Sequence, residues 1–579
     1  MLLRALVELG ERMEATGELL PRFYSIRRVS YRLDLDSQGQ PLSPLQAVSD
    51  PESPKRGLPL AIPTTSGKTS GNEPTPIDKV EYVFGLATPG REDRAAKRHA
   101  NYVALASEMA DETGDASLKA LAKFLDEYAN QVDLPEDLDP AAYVAIYVGG
   151  TALSSNPALQ RWWAKHREDS VPSPASNITR HCSLCGRDGA IPEKIDVSIQ
   201  GLTSIGGKAT MGLVTGNSDV FEHHGTKRAA GASICAACGE RSHQVLNLLL
   251  ADRSRNRVLG NAKLVWWTSE PVEDLLAAIL DGDSDENVGP FLDILRRGGR
   301  GSQPEAGKFY AATLGANVNR VVVRDWIDTS LAVVVNHVAS WLASVEIIDW
   351  DGTATHVPGL YSLLAALAPP GSGSALSRVS PMLVDRTLRS ILVGGQLPQA
   401  LLAQCLLRIR ASQGAVRVQR AALLKAYLIN HDDKETVMPA LDTASADVAY
   451  RCGRLLALLD GAARTATRSD LVDRSYAAAS TMPASTFPRL LKLHRAHLDK
   501  LRRDRPGAAF RIQAEVEEVL SGVTDLPALF TPAEQARFAL GLYHQQAADR
   551  ARWATARAVK TPAEDLIEPI DINEEDLAR

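Results

Sequence analysis

Apolar residues recur along this chain with two periods, and the change from one to the other divides it. At the start, Leu3, Leu6, Val7 and Met13 stand at helical spacing and predict a first helix. Val29-Ser-Tyr-Arg-Leu-Asp-Leu-Asp36 alternates with period two and runs into Ser-Gln-Gly-Gln, the pattern of a strand entering a hairpin. Helical spacing returns over 81–130. A strand is expected at 142–148, then a short helix at 158–166 with Trp162 and Trp163 as packing anchors. Further on the pattern predicts a helix at 242–250 and a strand at 261–267. Two strands, 309–315 and 320–326, flank a turn, and a helix follows at 329–343. After Pro369-Pro-Gly-Ser-Gly-Ser374, the sharpest break, nearly every apolar residue falls at helical spacing. Helices are expected at 381–392, 398–412, 418–429, 446–463, 471–479, 486–503, 508–520 and 532–557. Cys405 and Cys452 lie on apolar faces of these helices.

This succession predicts an α+β protein: a mixed α/β amino-terminal half with an inserted zinc-ribbon-like element, then an all-α carboxy-terminal bundle. The expected divisions are 1–175, a metal-binding insertion at 176–245, the remainder of the α/β half at 246–368, and a helical domain at 375–579. The tail 560–579 alternates acidic and apolar residues and is expected to be flexible.

The insertion is defined by Cys182-Ser-Leu-Cys185 and Cys235-Ala-Ala-Cys238, four of the chain's six cysteines. Two thiols separated by two residues grip one metal from a tight turn. Two such turns complete the four-sulfur tetrahedron of structural Zn2+. Gly186 and Gly239 follow the pairs and are expected to ease the backbone around the metal. A closed four-thiolate shell leaves no position for water, which argues for a staple rather than catalysis.

At 579 residues and 45% apolar composition the chain can build several cores, and a net charge of −6 does not advertise nucleic-acid binding. Charge is nevertheless uneven. Arg489, Lys492, Arg495, Lys500, Arg502, Arg503, Arg505 and Arg511 are opposed only by Asp499 and Asp504, and His494 and His497 are expected to add to this face. Such a helix suits a phosphate backbone without base specificity. Residues 48–77 are rich in Pro, Ser, Thr and Gly. Lys68, Thr69, Ser70 and Asn72 offer a cation, hydroxyls and an amide to phosphates and base edges, although composition alone reads as a solvated linker. Gly201-Leu-Thr-Ser-Ile-Gly-Gly-Lys-Ala-Thr210 fails the phosphate-loop pattern, because Leu202 and Ala209 stand where Gly and Ser or Thr are required. His223 and His224 read as surface residues. No hydrolase His-Glu pair, nucleophile elbow or carboxylate set emerges. The chain start lacks a signal-peptide core and no apolar run reaches membrane-spanning length, so a cytoplasmic protein is expected.

Several segments, in this order and spacing, resemble a known family. They are Thr69-Ser-Gly71 with Val83-Phe-Gly85, Lys97-Arg-His99, Asp219-Val-Phe-Glu222 with Gly225, Val265-Trp-Trp267, Phe309-Tyr310 with Leu314 and Asn317, Val323-Arg-Asp-Trp326, and Arg420-Ala-Ala-Leu-Leu-Lys-Ala-Tyr427. The most specific are Ala449-Tyr-Arg-Cys-Gly-Arg-Leu-Leu456, Phe487-Pro-Arg-Leu490 and Arg537-Phe-Ala-Leu-Gly-Leu-Tyr-His544. Over nearly its full length the chain resembles the large subunit of the type I-C CRISPR interference complex, Cascade. The resemblance implies a non-enzymatic subunit that reads the protospacer-adjacent motif on duplex DNA and aids R-loop formation. It also implies partners: guide RNA with backbone, crRNA-processing and small subunits, target double-stranded DNA and its displaced strand, and a helicase-nuclease. It makes Lys68, Thr69, Ser70 and Asn72 candidates for the adjacent motif, and Arg489, Lys492, Arg495, Lys500, Arg502 and Arg503 candidates for the displaced strand. In this family 438–579 corresponds to the small subunit, made from an internal start for which Met438 is suited. The four cysteines depart from the family's pattern. The alternative readings are a zinc-dependent nuclease and a zinc-ribbon nucleic-acid-binding adaptor.

Overall fold

A computed structural model describes residues 1–49, 57–64, 73–87, 90–135, 137–169, 180–189, 191–195, 197–216, 220, 222, 226–269, 307–432 and 437–558. The chain divides into two compact units, 1–252 with 316–322, and 253–315 with 323–579.

In the first unit the amphipathic opening forms α1 (Leu2–Ala15), which buries Leu2, Ala5, Leu6, Val7 and Leu9. β1 (Tyr24–Leu35) begins five residues before the alternation predicts. The turn after it is built by Asp36, whose Oδ1 accepts from the backbone N–H of Gln38 and of Gln40, both at 2.8 Å. β2 (Gln46–Ala47) and β3 (Leu58–Pro63) pair antiparallel with β1. The helical region expected at 81–130 resolves into α2 (Val80–Val83), α3 (Glu92–Thr113) and α4 (Ala116–Lys123). These form the crossover that parallel pairing demands: β4 (Tyr143–Val148) runs parallel to β1, from Val29 opposite Tyr143 to Leu35 opposite Val148. β5 (Thr151–Ala152) completes the sheet and α5 (Pro157–Asp169) follows. One core joins Leu33 and Ile146 of the sheet to Tyr102, Met109, Phe124, Trp162 and Trp163. β6 (Arg180–His181), β7 (Asp188–Gly189) and α6 (Ala236–Ala251) carry the cysteine pairs.

The second unit opens with a sheet of β8 (Asn256–Leu259), β9 (Ala262–Thr268), β10 (Lys308–Asn317) and β11 (Arg320–Ser330), adjacent in that order. Then come α7 (Leu331–Val345), the short pair β12 (Ile347–Ile348) and β13 (Thr355–His356), and α8 (Leu360–Ala365). The bundle comprises α9 (Pro381–Val393), α10 (Gln399–Ala411), α11 (Val418–His431), α12 (Val448–Thr467), α13 (Val472–Ala479), α14 (Pro483–Asp504), α15 (Pro506–Ser521) and α16 (Pro532–Ala558). One buried cluster runs from Leu264, Trp266 and Phe309 through Val338 into Leu424, Leu456 and Phe538. The break at 369–374 therefore lies inside this unit, on its exposed surface. Lys425 stitches bundle to α7 by donating to the carbonyls of Ala343 (3.0 Å) and Ser344 (2.9 Å), two of the acceptors that a helix end leaves open.

α12 and α16 cross at paired glycines. A Cβ on Gly453 would stand 2.0 Å from the carbonyl O of Phe538, and one on Gly541 would stand 2.0 Å from that of Tyr450. Around this crossing Arg454 is buried. It donates to Gln545 Oε1 (3.1 Å) and, through both terminal nitrogens, to Glu518 (3.2 and 2.7 Å). Tyr450 Oη bonds His544 Nδ1 at 3.0 Å.

Candidate metal centre and nucleic-acid interface

The first cysteine pair sits on a tight turn between β6 and β7. The Gly186 N–H donates to Cys182 O, the Cys182 N–H donates to Arg187 O, and Gly186 takes φ 72°, a left-handed conformation that glycine adopts without penalty. The second pair begins α6, with Cys235 at its N-cap and Cys238 in its first turn. Gly239 is helical, so its expected role around the metal is corrected. Its missing side chain makes room for Ile195, whose Cδ1 lies 2.4 Å from where a Cβ would stand.

The four sulfurs lie within 4.8 Å of one another, so this cluster could hold a metal ion, and all four cysteines are free of disulfides. Cys185 and Cys235 are 3.9 Å apart. Four sulfurs at 2.3 Å from a central zinc would be separated by about 3.8 Å, so the donor set fits that ion in number, type and spacing. The Cys238 thiol donates to Cys235 and holds Cys235 down at about 5, while the same bond and burial push Cys238 up. The downward shift favours the thiolate of Cys235, the form that ligates a metal, and a cation would relieve the like charge of further thiolates.

The cluster is fixed to the body of the unit. Val7, Ile234 and Val214 pack around it. Arg4 donates to Leu184 O at 3.3 Å. Arg241, one turn beyond Cys238, is buried and donates to Gly10 O (3.0 Å) and Glu14 Oε2 (2.7 Å) of α1. Within the same excursion lies a cavity of about 670 Å³ lined by Lys194, Lys208, Arg228, Glu222 and His243 among others. His243 donates through Nδ1 to Val197 O, and burial lowers its pKa to about 4, so its ring is neutral. His223 and His224 lie outside the described residues.

Lys68, Thr69, Ser70 and Asn72 also lie outside the described residues. The flanks of that segment are firmly held. Thr64 N–H donates to Phe23 O at 2.8 Å on one side. On the other, Thr75 donates to the buried Asp78 from its N–H (2.8 Å) and its hydroxyl (3.0 Å). The sheet register also sets exposed Arg27 and Arg28 of β1 opposite Leu60 and Pro59, toward the end of β3 away from this segment, where Arg28 donates to Gly57 O at 3.0 Å. The sequence reading missed this pair because it began the strand at Val29; the triplet Ile26-Arg-Arg28 interrupts the alternation.

All six cations proposed on α14 are exposed: Arg489, Lys492, Arg495, Lys500, Arg502 and Arg503. At 3.6 residues per turn, Arg489, Lys492, Lys500 and Arg503 fall along one stripe, with Arg495 and Arg502 on its flank. The opposite face buries Phe487, Leu490, Leu498 and Leu501. His494 and His497 belong to that buried face, which corrects the expectation that they add charge. Burial lowers His494 to about 4 and lowers His497 as well, so both are neutral near pH 7. Arg502 is held by Asp499 Oδ1 (3.0 Å) and Gln513 Oε1 (2.7 Å). Among the described residues Arg489, Lys492, Arg495 and Lys500 form no ion pair.

The segments that suggested a family largely build cores. Of the segment Val83-Phe-Gly85, Gly85 lies against the His99 ring, and the preceding residues of α2 join Lys97-Arg-His99 through an Arg98–Glu81 ion pair of 2.5 Å and a bond of 2.8 Å between His99 Nδ1 and Tyr82 O. The segments 449–456 and 537–544 form the α12–α16 crossing. No curated relative matches the chain. The profile of the Cas_Csd1 family, CRISPR-associated protein, matches residues 6–549. The chain therefore belongs to the Cas_Csd1 family and is the large subunit of a type I-C Cascade complex.

Proposed function

We propose that this chain acts without catalysis of its own inside an RNA-guided surveillance complex. Its amino-terminal part reads the protospacer-adjacent motif on duplex DNA, with Lys68, Thr69, Ser70 and Asn72 at the contact. Guide pairing then supplies the remaining specificity. The cations of α14 hold the displaced strand, and another surface of the subunit receives the helicase-nuclease. Zn2+ is the ion for the four thiolates; bound there it cross-links two turns fifty residues apart and supplies no open coordination site for water.

The observation that carries this reading is the α14 stripe: exposed cations along one face of a helix in a chain of net charge −6, with five of the six committed to no described acidic side chain. A solvated structural helix would be expected to balance them. The test is the assembled complex with Lys492, Arg495 and Lys500 changed to Gln. R-loop formation, followed by permanganate reactivity of the opened strand, should weaken. The slope of log affinity against log salt should fall by about 2, at roughly 0.7 per lost contact to a single strand. Normal opening of duplex DNA would refute the strand assignment. Asn72→Ala should weaken binding only to targets that carry the adjacent motif, and unchanged motif preference would remove that residue from the contact.

A further inference from the structure

The cavity of about 670 Å³ in the excursion between the cysteine pairs is used by neither the metal centre nor the basic helix. Its size falls within the roughly 300–1,000 Å³ of small-ligand sites, and all its lining residues belong to the first unit. One wall is the glycine-rich loop that fails the phosphate-loop pattern. Ile199 and Met211 close that loop by exchanging backbone hydrogen bonds of 2.8 and 2.9 Å. Asn247 of α6 pins its base, accepting from the Gln200 N–H at 2.8 Å and donating to Ser198 O at 2.9 Å. Gly206 takes φ 83°, and a Cβ on Gly207 would stand 2.8 Å from Leu202 O, so the turn needs both glycines. The loop thereby sets exposed Lys208 and Thr210 on the cavity.

Arg228 adds a second cation from a strained position. Its φ is 53°, a left-handed conformation that a residue with a side chain rarely adopts and that recurs at ligand sites. The Ala229 N–H donates to Glu193 O at 3.0 Å, which fixes this turn against the stretch that carries Lys194, a third lining cation. Lys194, Lys208 and Arg228 form no ion pair among the described residues. Of the two lining acids, Glu222 is already matched to Lys227 at 4.0 Å, so Glu193 alone is left to offset three cations. Like charges gathered round one space suit an anion, and phosphate most of all, since it accepts several charge-assisted hydrogen bonds at once. His243, 1% exposed, lines the same cavity. A carbonyl oxygen only accepts, so the 2.5 Å bond to Val197 O places the proton of the neutral ring on Nδ1 and leaves Nε2 as an acceptor. That acceptor has no partner. A buried acceptor calls for an N–H or O–H donor. Phosphate at the cations and a donor group at His243 together describe a nucleotide.

We propose that this cavity binds a free nucleoside phosphate, with its phosphates on Lys194, Lys208 and Arg228 and a hydroxyl or amino group of the nucleoside at His243. Ala209 stands where a phosphate loop has its magnesium-binding hydroxyl, so the site binds and does not hydrolyse. The full-length chain would be studied by equilibrium dialysis against labelled ADP and GDP, with pyrophosphate and adenosine as competitors. Each nucleotide should bind once per chain. Pyrophosphate should displace it, and adenosine should do so only at concentrations at least about tenfold higher, because the cations hold most of the ligand. Lys208→Gln and Arg228→Gln should each weaken nucleotide binding about tenfold, the effect of one lost charge-assisted hydrogen bond. Both side chains are exposed, so the variants keep the fold. Lys119→Gln, which removes an exposed cation of α4, should leave binding unchanged. No retained nucleotide, or retention unaltered by both cavity substitutions, would overturn the proposal. So would equal weakening by Lys119→Gln, which would reduce the binding to general surface charge. If a 5′-phosphorylated oligonucleotide displaces ADP at lower concentration than ADP itself does, the cavity takes a strand end and the free-nucleotide assignment fails.

Discussion

Single side chains decide what the cysteine cluster and the basic helix can do, and each yields a measurable consequence. Cys182 is fully buried, and its sulfur also accepts the Cys235 N–H at 3.4 Å. If the cluster holds Zn2+ as proposed, Cys182→Ser should empty it, reducing zinc measured by atomic emission from one per chain toward none and lowering stability by on the order of a few kcal/mol. A variant that keeps full zinc stoichiometry would show that Cys182 is not a ligand. His494 gives a pH signature. Neither ring nitrogen finds a partner, and its folded pKa of about 4 lies below the ordinary value of about 6.5. Above pH 6.5 folded and unfolded chains both carry the neutral ring. Between 6.5 and 4 only the unfolded chain takes up the proton, so stability falls with falling pH, at up to about 1.4 kcal/mol per unit. His494→Leu should reduce the slope of denaturant-derived stability across that window by one group's share, with His243, His497 and His544 carrying the rest, and without loss at pH 7, since two unpaired polar atoms leave the interior. An unchanged slope would mean the ring is hydrated. The clustering of the four cysteines was readable because two paired spacings bring four thiols together. The histidines were misread because charge counting along α14 ignores which face each residue occupies.

Elements were readable wherever one face is apolar over several turns, which is why nearly every helix beyond 374 lies where its period places it. Short strands such as β2, β5, β12 and β13 left no pattern, since two residues carry no periodicity. The α12–α16 crossing was invisible for a different reason. Gly453 and Gly541 look like weak points inside helices, costing about 1 kcal/mol each against alanine by propensity. Their value appears only when two backbones meet so closely that a Cβ would stand 2.0 Å from a carbonyl oxygen of the other helix. The competing terms can be weighed. Gly541→Ala gains about 1 kcal/mol of propensity but drives a methyl into the Tyr450 carbonyl, which belongs to a helix and cannot yield cheaply. Overpacking typically costs about 1–3 kcal/mol and must also disturb the Arg454–Glu518–Gln545 network beside it. The expected net outcome is a lower thermal midpoint and weaker cooperativity. A midpoint at or above wild type would show that the helices separate without penalty.

For the whole molecule the question is whether the carboxy-terminal helices can live apart from the rest. A product beginning at Met438, itself half exposed, would contain α12 to α16. Within that piece α12 packs against α13, α14, α15 and α16, and the glycine crossing and the Arg454 network are both internal to it. These contacts are enough to predict a folded helical product. They are not enough to cover it, because in the long chain α16 also packs on α10 and α11 and Tyr543 donates to Ile348 O at 2.7 Å. Released from those neighbours, the short product would show an apolar face to solvent and should bind another subunit or itself. If the internal start is used, a carboxy-terminal tag on the single gene should reveal two bands, the shorter copurifying with the complex. Met438→Gln should remove the short band and leave the long chain unaltered, since that side chain holds no core position. A single long band from the unaltered gene would dismiss the internal start. A short product that stays monomeric and unattached would instead mean that α16 covers its own apolar face once α10 and α11 are gone.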